Sequence, residues 1–100
     1  MLAWLKKLNV KKNKGFTVQF IGESLIRYSE EQHTIDMKVD HGDRAGKSVL
    51  YIFETEFNNW NDGQKISAEK QHQIQQNIID EMQSKNVIVV VIKVVTFFKD

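Results

Sequence analysis

The sequence predicts an α+β fold: a single antiparallel sheet of about five strands, one long helix packed on one face, and a short N-terminal helix. Three observations carry this. Apolar and polar residues alternate with period two from Phe16 to Asp40, as they do in half-buried strands. Apolar residues recur at helical spacing from Ser67 to Lys85. Val87 to Phe98 is a run of β-branched and aromatic residues with Lys93 as its only charge. One hundred residues hold one core, so the whole chain, 1–100, is read as a single domain. A basic segment, 1–14, precedes the folded part, 15–98.

The N-terminal helix is predicted from Leu2, Leu5 and Leu8, spaced three apart with Trp4 beside them. Lys11 to Gly15 is a turn. Phe16, Val18 and Phe20 alternate with Thr17 and Gln19 in the first strand, which ends at Gly22-Glu23. Leu25 to Ser29 is the second strand, and Glu30 to His33 is a tight hairpin connection. Thr34 to Asp40 is the cleanest strand, with Ile35, Met37 and Val39 facing one way and Asp36, Lys38 and Asp40 the other. That alternation describes a sheet with one wet face, an antiparallel habit. His41 to Lys47, with two glycines, is read as a loop. Ser48 to Phe57 is the fourth strand, apolar on both sides in its first half.

Ser67 is the predicted N-cap of the helix, and Glu69 complements the dipole in its first turn. Ile74, Ile78 and Met82 form the buried stripe, widened by Ile79, while glutamines cover the solvated side. Lys85-Asn86 closes the helix with a cation and a residue that tolerates left-handed backbone. Val87 to Phe98 then reads as a buried, central strand.

Composition narrows the function classes. There is no cysteine, which removes disulfides, thiol catalysis and thiolate metal sites. Five lysines lie within the first fourteen residues. The rest of the chain therefore holds nine of the fourteen basic residues against thirteen acidic ones, a net −4. A mildly acidic body argues against a nucleic-acid binder. No run approaches the ~20 apolar residues of a membrane span. The expected place is the cytoplasm, without stable membrane insertion.

Tests for chemistry come out negative. His33, His41 and His72 share no ligand spacing, so neither metal nor cofactor is predicted. The serines lack a nucleophile elbow. Gly42 to Ser48 ends in Gly-Lys-Ser, but its glycine spacing and the following strand do not fit a phosphate loop. Glu54 and Glu56 form an acidic stripe at a strand end, and an acid/base pair there would be the enzyme reading. The chain is read as a non-enzyme. The predicted contact surface is the acidic end of the sheet, drawn from Asp36, Asp40, Asp43, Glu54, Glu56 and Asp62. Trp60 and Tyr51 are its aromatic anchors. Trp60 also suits packing over the helix start, and both roles fit one ring.

The order of features has a counterpart. Ile26-Arg27-Tyr28 lies in a hairpin, Leu50-Tyr51-Ile52 in an aromatic strand, and Trp60 in a polar loop. Ile66-Ser67 opens the helix that contains Gln76-Asn77-Ile78-Ile79. In this order the chain resembles the immunity protein 74 family of bacterial polymorphic toxin systems. It departs at Asn61-Asp62-Gly63, where a proline-containing segment would be expected. The resemblance implies a protein that binds and neutralises a cognate toxin domain by stoichiometric complex formation, without catalysis. A nuclease is the kind of toxin that an acidic body would suit. The alternative reading is a small self-associating structural or assembly module with no toxin partner. The last strand, at twelve residues, outruns its neighbours and predicts a homodimer through its overhang. The Met1 to Leu8 helix is the competing cover for that overhang.

Overall fold

The structure, a computed structural model, describes residues 15–93. Five strands form one sheet in chain order: β1 (Thr17–Gly22), β2 (Leu25–Glu30), β3 (His33–Arg44), β4 (Lys47–Phe53) and β5 (Ile88–Ile92). Between β4 and β5 run a 3₁₀ turn, Glu54–Phe57, and the single long helix α1, Ala68–Gln83. The fold is thus α+β with one sheet, as predicted. The expected N-terminal helix and the end of the last strand, 94–98, lie outside the described residues.

Strands β1 to β4 pair antiparallel, and two residues separate each from the next. At the β3–β4 turn both Ala45 and Gly46 take positive φ, 52° and 82°. This is the twist that a two-residue hairpin favours. It corrects the loop expected from His41 to Lys47. The strand continues to Arg44, and only two residues turn. The glycines that suggested a loop serve a close approach (Gly42) and a tight turn (Gly46).

The expectation of a wholly antiparallel sheet is also corrected, because β5 runs parallel to β4. A helix between two neighbouring strands returns the chain to the end where it started, and that connection makes the strands parallel. Nor is β5 central. Among the described residues it pairs only with β4 and forms an edge.

The fourth strand stops at Phe53 rather than Phe57, and the chain tightens into the 3₁₀ turn. The cause lies in β3. Its second half pairs with β4, from Val39 to Arg44, but its first half has no strand on that side. The turn and the following loop fill the gap. Lys38 N–H donates to Glu56 Oε1 at 2.9 Å, and Asp36 N–H donates to Asn61 Oδ1 at 3.1 Å. Asn61 N–H donates to Thr34 O at 2.8 Å. Three alternate backbone positions of an interior strand, Thr34, Asp36 and Lys38, are thus satisfied without a neighbouring strand.

The core lies between the sheet and α1. Ile26, Tyr28, Ile35, Met37, Val39, Leu50 and Ile52 face the predicted helix stripe of Ile74, Ile78 and Met82. Both caps of α1 form as read. Ser67 accepts a hydrogen bond from Lys70 N–H, and Asn86 takes a φ of 64° just past the end. Val87 N–H reaches back to Met82 O at 2.9 Å, which turns the chain directly into β5.

Candidate functional site

Paired residues of neighbouring strands share a face, so the register sorts every side chain. Ile26–Met37 and Tyr28–Ile35 mark the helix side. The opposite, outer face then carries Arg27 with Asp36, Asp40 with Tyr51, Gly42 with Val49, Tyr51 with Val90, and Phe53 with Ile92. No described helix or strand packs on this face. Its β1–β3 half is polar, and its β4–β5 half is aromatic and aliphatic. Tyr51, Phe53 and Val90 are half-buried, and Ile92 is exposed.

Tyr51 is the best positioned of these side chains. A Cβ added at Gly42 would lie 2.8 Å from Tyr51 Cε2 and 3.3 Å from its hydroxyl. The ring therefore lies across the Gly42 backbone, where any larger residue would displace it. The sequence reading missed Gly42, Phe53 and Val90. A glycine diagonal to a tyrosine of the next strand was the available signal, and it required the register to be seen.

The expected acidic surface is only partly assembled. Asp36 is held by Arg27 in a two-pronged pair, 2.7 Å from Nε and 3.0 Å from Nη2. Hydrogen bonding by Arg27, with help from Asn61 and the Arg27 charge, keeps the Asp36 pKa below its ordinary value against the cost of desolvation. Glu56 no longer points along a strand face with Glu54. Its carboxylate accepts the Lys38 amide. Asp62 accepts Gln64 N–H at 2.9 Å in a local turn, with its other oxygen 3.7 Å from His33 Nδ1. Among the described residues Asp40, Asp43 and Glu54 have no ion-pair partner. Asp40 lies on the outer face beside Tyr51, whereas Asp43 pairs with Ser48 near the β3–β4 turn.

Trp60 is a core residue, 7% exposed, with its ring stacked on His33 at 4.9 Å between centroids. The packing role foreseen for it is the one it fills, and little of the ring is left to anchor a partner. His33 Nδ1 is buried beside it without a hydrogen-bond partner.

A second polar cluster bridges sheet and helix. Tyr28, fully buried, donates from its hydroxyl to Glu30 Oε1 at 2.6 Å and accepts from Asn77 Nδ2 at 2.8 Å. Lys70 Nζ donates to Glu30 Oε2 at 2.6 Å. Burial, reinforced by the Glu30 hydrogen bond and charge, raises the Tyr28 pKa well above its ordinary value, although the Asn77 bond opposes this. Burial would also raise the Glu30 pKa. The hydrogen bonds from Lys70 and Tyr28, with the charges of Lys70 and His33, outweigh burial and lower it. Every member has a partner, so this cluster fixes the helix on the sheet. No family model, curated protein or solved structure matches the chain.

Proposed function

We propose that this chain is an immunity protein that binds and neutralises a cognate bacterial toxin domain, and that it binds through the outer face of the sheet. One observation carries the choice of face. Tyr51, Phe53, Val90 and Ile92 gather on the side of the sheet away from α1, with Tyr51 held against Gly42 and Asp40 beside it. Interface energy concentrates in a few such aromatic anchors, and a polar rim adds register. The resemblance in Ile26-Arg27-Tyr28 and Leu50-Tyr51-Ile52 supports the toxin as partner, because Arg27 and Tyr51 are the outward residues of those two motifs.

The mode of action is occupation of the toxin surface by a rigid sheet, not catalysis. Charge steering contributes less than the sequence suggested, since Asp36 is neutralised by Arg27. Asp40 is the acidic residue best placed to meet a basic toxin group. No helix of the described residues is long and apolar enough to cross a membrane. A cytoplasmic complex formed in the producing cell is part of the proposal. Copurification with the product of the adjacent gene, followed by a neutralisation assay, tests it. Full toxin activity in the presence of excess protein would refute it.

A further inference from the structure

The apolar part of the outer face is two strands wide. Tyr51 and Phe53 of β4 stand beside Val90 and Ile92 of β5, and Ile92 is 37% exposed. Neighbouring strands lie about 4.8 Å apart, so the strip measures about 10 Å across. Toward the β3–β4 turn it ends at Val49, which is 1% exposed and offers no surface. Strand β3 runs along its flank. Lys38 and Asp40 lie either side of Val39, whose strand partner is Ile52, so they stand beside Phe53 and Tyr51 on the same face. Both are exposed. Neither has an ion-pair partner among the described residues, in contrast to Arg27 and Asp36.

Few elements can cover such a strip. A partner on a sheet face meets side chains, so its own peptide groups must be satisfied within it. A second sheet meets that need but spreads over several strands. Here it would also bury the Arg27–Asp36 pair of the polar half. A helix is about 10 Å in diameter and matches the strip when it lies along β4 and β5. The charges agree with that shape. Two residues apart in a strand, Lys38 and Asp40 are separated by roughly 6.8 Å. Four residues of helix rise about 6 Å, and side chains at that spacing share one side of it.

We propose that the partner element received by the outer face is an amphipathic helix lying along β4 and β5, with an acidic and a basic side chain four residues apart that pair with Lys38 and Asp40. The inference rests on the outer face being the toxin-binding surface, and it adds the shape and charge of what binds there. The apolar side of the helix covers Tyr51, Phe53, Val90 and Ile92, a small contact of the kind that concentrates energy in a few anchors. Mixed charge is the discriminating feature. The Met1 to Leu8 segment of the chain itself carries Lys6 and Lys7 but no acidic residue, so it could satisfy Asp40 but not Lys38.

Three synthetic helices test this, cross-linked to stay helical and identical except at two flank positions four residues apart. These positions hold Glu with Arg, Glu with Glu, or Arg with Arg. Each peptide is titrated into the full-length chain and followed by amide chemical shifts. The Glu/Arg peptide should bind the native chain tightest, by roughly two- to fivefold, the scale of one exposed ion pair. Its shifts should centre on Tyr51 and Val90. Lys38→Glu should turn the preference to the Arg/Arg peptide, and Asp40→Lys to the Glu/Glu peptide. Equal affinities, or preferences that ignore the two substitutions, would overturn the inference. So would the absence of binding, as when the Met1 to Leu8 segment or a second copy fills the face. The product of the adjacent gene is assayed in parallel. A toxin neutralised through Tyr51 but indifferent to Lys38→Glu and Asp40→Lys would overturn the helix and leave the proposed function standing. Peptides that follow the charge rule beside an uninhibited toxin would uphold the helix and refute the toxin.

Discussion

Asn61 takes the place of a strand beside Asp36. Its side-chain oxygen accepts the Asp36 amide at 3.1 Å, and its own amide donates to Thr34 O at 2.8 Å. One residue of a loop so completes two positions of β3, 25 residues earlier in the chain. Asn61→Ala keeps the backbone bond and loses the side-chain one, leaving the Asp36 amide without its acceptor. The expected cost is about 1–2 kcal/mol, the scale for one unsatisfied partner. Asn61→Asp keeps the acceptor but sets a second carboxylate beside Asp36, so it should cost less in high salt, where that repulsion is screened. Denaturant unfolding of both variants measures the difference, and equal losses would remove the side chain from this role.

Gly42 positions Tyr51. In Gly42→Ala the new methyl meets the ring at 2.8 Å, and the ring, being the free end of a side chain, moves aside. Stability should change by less than about 1 kcal/mol, while binding of the partner falls as it does in Tyr51→Ala, by about 2 kcal/mol or more. Calorimetry with the toxin domain proposed as partner, alongside thermal melts, separates the two quantities. Unchanged affinity in Gly42→Ala would show that the ring position does not matter.

Trp60→Ala removes a ring from the core and from its stack on His33. Large-to-small changes of this kind cost about 3–5 kcal/mol. A domain of this size has about 5–15 kcal/mol to lose. The variant should melt far below the native chain or not fold, whereas a Trp60 serving only as a surface anchor would leave the melting temperature alone.

Stability should fall at both ends of the pH scale. Glu30 and Asp36 hold pKa values below the ordinary 4.5 and 3.8 in the folded chain. On acidification the unfolded chain takes up those protons first, so stability that is full above the ordinary values is lost as pH falls through the folded ones. Tyr28 is the opposite case. Its folded pKa is raised above 10.0, so its contribution is full below that value and drains away as pH climbs past it. Melting temperatures across pH should show both limbs. Glu30→Gln should flatten the acid limb and Tyr28→Phe the alkaline one, and a native-like acid limb in Glu30→Gln would place the acid sensitivity elsewhere.

Much of this fold was legible because its signals are local. The period-two alternation of Ile35, Met37 and Val39, the stripe of Ile74, Ile78 and Met82, the Ser67 cap and the Asn86 stop each depend on neighbours in the chain. What stayed hidden depends on register. Gly42 looked like a loop residue because its reason for being glycine, the Tyr51 ring, comes from the next strand. Glu56 looked like a surface carboxylate because its partner, the Lys38 amide, is 18 residues away. The apolar run after Val87 suggested a central strand. At an edge it is apolar on both sides for two separate reasons: Val89 and Val91 join the core, and Val90 and Ile92 extend the outer face.

The parallel return of β5 sets an order of assembly. Strands β1 to β4 find one another across two-residue turns, so each closes at small entropic cost. The pairing of Val49 with Ile88 must wait until the chain between them has coiled into α1 and come back. The meander can form first and carry the helix, and β5 then zips on last. In native-state hydrogen exchange the amides of β5 should therefore open at lower free energy than those of β2 and β3, as a unit that detaches while the hairpins stay intact. Equal protection in all of these strands would mean that the chain opens only as a whole.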